Sequence, residues 1–276
     1  TIMSYAGACG AEGFQLAPDD YFHAGSQDQM IAFITNGATG GSCGSPTATG
    51  NTPPTVNAGP DFTVPKATPF TLTATASDPN GDYLTYIWEE MDLGTASSAP
   101  PGGVVDDGTR PLFRSFPPGS SRSRTFPRIS DVLTPPANWA GEVLPTTTRA
   151  MHFRVTARDN RIDGGGTASD EMVLNIRADS GPFSVTQPTG PVNWTAGSTQ
   201  TVSWNVANSS APPVSCANVR ISLSLDGGNT FPIVLVASTP NDGSEAVAVP
   251  NNPTATARIK VEAVGNVFFN VSSSNF

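Results

Sequence analysis

The sequence predicts a mainly β chain: two consecutive β-sandwiches preceded by a short helix-containing segment. Three observations carry that prediction. Of 276 residues, 27 are Gly and 26 are Pro, and 27 Ser and 31 Thr add to them, so turn-forming residues recur throughout. Only 13% of residues are charged and Lys occurs twice, as Lys66 and Lys260, which excludes a helical bundle or coiled coil rich in Glu and Lys. Short runs of alternating apolar and polar residues, separated by turn signals, repeat along most of the chain.

Other classes fall away on composition. An apolar content of 37% with 14 Phe and 4 Trp is enough to build a core, which argues against disorder. Gly and Pro follow no three-residue period, so collagen is excluded. A net charge of −9 argues against nucleic acid as a partner, because phosphate binding needs a basic face. No run of eighteen apolar residues exists to span a bilayer. The opening Thr1-Ile2-Met3-Ser4 lacks a charged n-region and an apolar h-region, and is expected to begin a fragment or processed form.

Composition divides the chain into three regions. Residues 1–50 hold four acids (Glu12, Asp19, Asp20, Asp28) and neither Lys nor Arg. Ser26 is the expected N-cap of a helix, with Gln29 completing a capping box and Gly37 past its end. Met30, Ile31, Phe33 and Ile34 give it an apolar stripe, and about three turns need a partner surface to be stable. Gly37 to Thr52 has the composition of a linker.

Residues 52–180 read as the first sandwich. Phe70–Ala76, Leu84–Trp88, Met151–Ala157 and Glu171–Ile176 are its strands, interrupted by an irregular insert at 94–148 rich in Pro, Ser and Arg. Residues 181–276 are nearly neutral and form the second sandwich. Its strands are Thr201–Val206, Val219–Leu225, Ile233–Val236, Arg258–Val264 and Val267–Val271.

Four motifs bear on chemistry. Asp78, Asn80 and Asp82 stand at positions 1, 3 and 5 of a turn, a spacing that points hard oxygens into one loop and suits Ca²⁺. Asp159, Asn160 or Asp163 would complete the shell if that strand end lies alongside; the alternative is an Asx-turn serving the local backbone. In the insert, Arg122 and Arg124 lie among Arg110, Arg114, Arg128 and three Phe. They offer an anion or acidic-glycan clamp, or else pair with local acids over packed Phe rings. Ser224-Leu225-Asp226-Gly227-Gly228-Asn229-Thr230-Phe231 reads as a structural hairpin turn rather than glycosidase chemistry. Trp194 and Trp204 are read as core rather than sugar platforms.

Three cysteines in a Lys-poor, Thr-rich β chain point to an exported protein. Cys9 and Cys43 share the short N-terminal region and are the expected disulfide, with three free thiols as the alternative.

Thr1-Ile2-Met3-Ser4-Tyr5-Ala6-Gly7-Ala8-Cys9 resembles the Met-turn of metzincin zinc peptidases, in particular the bacterial reprolysin-like group. The resemblance implies that Met3 forms an apolar floor beneath a zinc site and that Tyr5 sits near the metal. It further implies a turn followed by a helix, as Asp20-Tyr21-Phe22-His23 leads into one here. The family holds Zn²⁺ with a His-Glu-x-x-His-x-x-Gly-x-x-His helix. This chain has only His23 and His152 and no such motif, so the zinc ligands are not in it and it is expected to be inactive alone.

Pro53–Asp61, Ala76–Asp82 through Trp88, and Arg154–Asn160 are similar to cadherin-like and polycystic-kidney-disease-type modules of exported bacterial enzymes. Together these resemblances imply two Ig-like β-sandwiches behind a metzincin remnant. They imply the C-terminal accessory region of a secreted or cell-surface zinc metallopeptidase. Its partners would be the missing catalytic half and surface or polysaccharide ligands. An adhesive or fibre protein, or a glycan-binding module, is the rival.

Overall fold

The structure, a computed structural model, describes residues 1–3, 15–38, 40–45, 47–94, 105–134 and 141–276. The first part of the chain contributes helix α1 (Ala24–Thr35). The first sandwich contains β1 (Thr55–Asn57), β2 (Phe62–Pro65), β3 (Phe70–Thr73), β4 (Thr75–Ser77), β5 (Thr85–Glu90) and β6 (Ser123–Phe126). The short helix α2 (Ile129–Leu133), β7 (Arg149–Arg158) and β8 (Thr167–Arg177) complete it. The second sandwich contains β9 (Ser184–Gln187), β10 (Thr199–Asn205), β11 (Asn218–Ser224), β12 (Ile233–Pro240), β13 (Ser244–Ala248), β14 (Arg258–Ala263) and β15 (Phe269–Val271).

Strand order makes both sandwiches Ig-like. In the second, a β13-β10-β9 sheet faces a β12-β11-β14-β15 sheet, and the chain crosses between them as a Greek key does. In the first, β2-β8-β7-β5 forms one sheet. The other face is built by the β3-β6 pair together with the β1-β4 pair, β3 and β4 being separated only by Ala74. After β1 the chain switches sheets, and β2 runs parallel to β8 where the other pairings are antiparallel.

Alternation explains the longest strand. Met151, Phe153, Val155 and Ala157 of β7 all point inward and are fully buried, while His152 and Arg154 point out. Phe70, Phe113, Phe126 and Phe153 meet there in stacked and edge-on contacts at centroid distances of 4.9–6.3 Å. Phe113 and Phe126 come from the Arg-rich insert, so that segment completes the core rather than decorating it.

The two sandwiches share a seam. The Thr71 N–H donates to the Val267 carbonyl and the Phe269 N–H to the Pro69 carbonyl, each at 2.9 Å, so β3 bridges to the edge of β15. Asn266 Nδ2 reaches the Thr63 carbonyl at 2.9 Å, and the Gly181 N–H donates to the Ala207 carbonyl at 2.8 Å. Phe183 packs edge-on against Phe268 at 5.2 Å, and buried side chains form one cluster across both sandwiches. Gly181 has φ +101°, and a Cβ there would collide with the Lys66 backbone, so glycine is required for this close approach.

The helix differs from its sequence-predicted form. It starts at Ala24, two residues before Ser26, because His23 is the N-cap: its Nδ1 accepts from the Gly25 N–H at 3.1 Å. A buried carboxylate fixes that end, Glu89 Oε2 accepting from the Ala24 N–H at 3.0 Å. Tyr21 and Ala24 are buried against the outer side of β5, and Asp28 pairs with Arg154 of β7 at 2.5 Å. The expected apolar stripe faces outward: Met30, Ile31, Phe33 and Ile34 are all exposed.

Candidate metal centre

The turn after β4 and the turn after β7 bring three carboxylates together. Ligand oxygens of Asp78, Asp82 and Asp159 all lie within 4.8 Å of one another. Two oxygens each about 2.4 Å from one ion are separated by at most about 4.8 Å, so the spacing matches a shared Ca²⁺.

Each acid has a different local role. Asp78 Oδ1 accepts from the N–H groups of Asn80 at 2.8 Å and Asp82 at 3.0 Å, which is the Asx-turn, and leaves Oδ2 buried without a hydrogen bond. Asp82 Oδ2 is also buried without one; Arg161 Nη1 stands 3.9 Å away as the nearby countercharge. Asp159 is almost wholly buried and accepts from Asn51 Nδ2 and from the Arg161 and Gly166 N–H groups. Burial acts to raise its carboxyl, but those hydrogen bonds and Arg161 outweigh it and hold the group below the usual carboxylate range. Gly165 and Gly166 make this approach possible, since a Cβ on either would sit 3.0 Å from an Asp159 oxygen.

Three carboxylates with one guanidinium nearby carry a surplus of negative charge, and two of their buried oxygens have no donor. A buried polar atom without a partner is costly, and a hard divalent cation satisfies both orphan oxygens at once. Backbone carbonyls and water would have to supply the remaining positions of a six- to eight-oxygen shell.

Of the other expected ligands, Asp163 is not in this group of carboxylates, and Asn80 and Asn160 have hydrogen-bond partners of their own. Asn80 is exposed and its Oδ1 accepts from the Thr52 N–H. Asn160 holds the neighbouring turn through the Tyr83 and Arg158 carbonyls, and Asp163 is exposed. Sequence reasoning missed Asn51, which pins the linker to Asp159 at 2.6 Å and to the Gly164 carbonyl at 3.0 Å. A lone Asn in a Gly/Thr-rich linker carries no signal of a contact 108 positions away.

The remaining candidates resolve separately. Arg124 is not available to a ligand: it donates to the Trp88 and Arg114 carbonyls and pairs with the fully buried Glu142 at 2.6 Å. Its guanidinium also covers Phe126 at 4.3 Å and Phe116 at 4.8 Å. Arg128 and Arg114 stack on the same Phe116 ring, so the insert behaves as Arg residues over packed aromatics; of Arg122 and Arg124, only Arg122 is exposed. Met3 is 67% exposed, and the Ile2 N–H donates to the Tyr21 carbonyl. Tyr5 and Cys9 lie outside the described residues. Cys43 is a free, exposed thiol and Cys216 a free, buried one.

His23 lies 3.6 Å from Glu89 and His152 2.7 Å from Asp92, at separate places on the first sandwich. Asp226 performs the turn role read from the sequence. It accepts from Thr230 and Ser224, which hold its carboxyl well below the usual range, while Gly227 and Gly228 take φ +78° and +98°. Trp204 is core, its Nε1 donating to Asn241 Oδ1 at 2.8 Å; Trp194 is only half-buried.

No protein-family model matches the sequence, and no curated protein matches it. Solved structures give weak likenesses only. A Dscam structure concerned with isoform specificity is 13% identical, covering 82% of this chain and 45% of its own, with a TM-score of 0.24. A chimeric titin Z1Z2 is 11% identical, covering 79% and 94%, also at 0.24. A β-glucuronidase 3 from Bacteroides uniformis is 10% identical, covering 80% and 25%, at 0.20. Superpositions this loose carry no argument, and the Ig-like assignment rests on the strand order above. Among the described residues, no helix is long and apolar enough to cross a membrane.

Proposed function

We propose that the chain is an extracellular accessory region whose two Ig-like sandwiches act as one stiff spacer, with Ca²⁺ bound at Asp78, Asp82 and Asp159. The observation that carries the spacer role is the seam. Backbone hydrogen bonds from β3 to the β15 edge and a shared apolar core oppose the hinge that a linker of polar residues would allow. Bound Ca²⁺ would neutralise the acidic corner and, through Asn51, tie down the segment that enters the first sandwich.

The larger protein is, on this reading, a secreted bacterial zinc metallopeptidase of the reprolysin-like group. The Met-turn resemblance supports it, and the outward apolar face of α1 is the kind of surface a catalytic domain would cover. Met3 and Tyr5 would then support a zinc site whose ligands lie elsewhere. Two results test this. The gene should encode a His-Glu-x-x-His helix within some tens of residues upstream of Thr1, and an unrelated sequence there refutes it. The chain alone, loaded with Zn²⁺, should not hydrolyse casein; hydrolysis refutes it.

The same helix face favours a second reading, an adhesive or fibre subunit that buries it by self-association. Sedimentation decides: a monomer at high concentration removes that reading.

A further inference from the structure

The open edge of the second sandwich carries a cleft that the spacer role does not use. Strand β9 ends at Gln187, opposite Ser203, so β10 from Thr199 to Val202 has no strand partner on that side. The gap is a cleft of about 360 Å³ whose polar lining is Gln187, Asn193, Gln200, Thr201 and Ser203, with Trp194 forming one wall. None of its lining residues is charged, in a protein of net charge −9.

Two features separate this cleft from ordinary surface. Gln187, Asn193, Thr201 and Ser203 make no side-chain hydrogen bonds among the described residues, and Gln200 uses only its Nε2, toward Ser198. Gln187, Asn193 and Gln200 thus border the cleft with donors and acceptors unspent, while Thr201 and Ser203 line it from the opposite face of β10. Trp194 is the other feature. The indole N–H groups of Trp88 and Trp204 are satisfied internally, by the Arg122 carbonyl and by Asn241. That of Trp194 has no partner among the described residues. Its ring is nevertheless held, packed against Phe276 at 4.7 Å over a second, apolar hollow. A fixed aromatic ring with a free N–H beside several uncommitted amides and hydroxyls is a preformed site for a neutral polar ligand with apolar C–H faces.

We propose that this cleft binds an uncharged glycan, one sugar ring packing on Trp194 and its hydroxyls bonding to Gln187, Asn193 and Gln200. Sugar hydroxyls donate and accept together, as carboxamides do, which fits this lining better than an ionic ligand. The inference is independent of the Ca²⁺ site and of the peptidase reading, since it uses neither region.

Affinity electrophoresis of the full chain through native gels containing hydroxyethylcellulose, xyloglucan, galactomannan or glycol chitin tests it. At least one polymer should retard the protein in a concentration-dependent way. Trp194→Ala should weaken that retardation at least about tenfold, and Trp194→Phe should keep part of it. An Asn193→Ala/Gln200→Ala double variant, which leaves the Trp194–Phe276 packing in place, should also lose retardation and serves if Trp194→Ala unfolds. Absence of retardation by all four polymers overturns the proposal. So does unchanged retardation of the double variant, or an extended peptide shifting the β10 amide resonances where no polysaccharide does.

Discussion

Replacing Asp82 by Asn separates ion binding from structure at the acidic corner more cleanly than any other change. Asp82 Oδ2 accepts no hydrogen bond, so the substitution removes a charge and a strong ligand without breaking a backbone contact. Asp159→Asn would not do this, because Asp159 accepts from the Arg161 and Gly166 amides, and an NH₂ group replacing one of its oxygens would face those donors. Two unit charges 4.8 Å apart repel by about 3–4 kcal/mol at an effective dielectric near 20. Asp82 feels two such neighbours and one guanidinium at 3.9 Å, so the repulsions exceed the attraction. Without Ca²⁺ the Asp82→Asn chain should therefore be at least as stable as wild type.

With Ca²⁺ the order reverses. Extracellular Ca²⁺ sites bind at roughly 0.1–1 mM. At 10 mM ion, binding only the folded state contributes about 1.4–2.7 kcal/mol. For a domain pair of this size that corresponds to about 3–10 °C in Tm. Differential scanning fluorimetry in 10 mM CaCl₂ and in EGTA, on both proteins, reads the effect. Wild type should gain several degrees from Ca²⁺ and Asp82→Asn almost none. A wild-type Tm that is the same in both buffers refutes the reasoning, as does an equal gain in the variant.

Other consequences follow from buried charge and turn chemistry. Arg124→Ala leaves Glu142 buried without its partner and should cost about 3–5 kcal/mol in urea unfolding, whereas a loss under 1 kcal/mol would mean that water replaces the guanidinium. Burial pushes the Glu90 carboxyl up to about 8 against an ordinary 4.5, despite amides from Leu112 and Phe113 that favour its charged form. The folded state then holds a proton that the unfolded state has lost between about pH 4.5 and 8. Stability should rise as pH falls through that window, by up to about 1.4 kcal/mol per unit, and Glu90→Gln should flatten the slope. Ser224→Ala strips an acceptor from the buried Gly228 N–H and should cost about 1–2 kcal/mol by thermal unfolding, the sandwich remaining folded.

What the sequence made legible follows from period and turn chemistry. The cores of β7 and β8 were readable from the apolar residues of Met151–Ala157 and Glu171–Ile176, and β11 and β14 because their apolar residues sit at every second position. β1, β2, β6 and β9 were not, since three or four residues with Thr, Ser or Pro look the same in a loop as in a strand. Their pairing is set by long-range contacts such as Phe70 opposite Phe126. The cap of α1 moved from Ser26 to His23 because Glu89, sixty-five positions beyond Ala24, reaches the helix start. At the acidic corner, the Asp78 and Asp82 spacing is local and readable, while the arrival of Asp159 depends on β5 and β7 pairing in register from Thr85–Arg158 to Glu90–Phe153. Trp194 illustrates the converse, for in the sequence it reads as core and only the unpaired end of β10 reveals a cleft.

The stiff seam between the sandwiches is the claim on which the spacer reading stands, and a distance distribution tests it most directly. Spin labels at exposed Thr75 on β4 and Ser244 on β13, in a Cys9→Ser/Cys43→Ser background with Cys216 left buried, report the separation by pulsed electron resonance. A single narrow distribution, unchanged by Ca²⁺, is predicted, because the seam bonds of Thr71, Phe269 and Asn266 lie between the labels' domains and away from the acidic corner. A broad or two-peaked distribution would show that the sandwiches hinge, and would contradict the account.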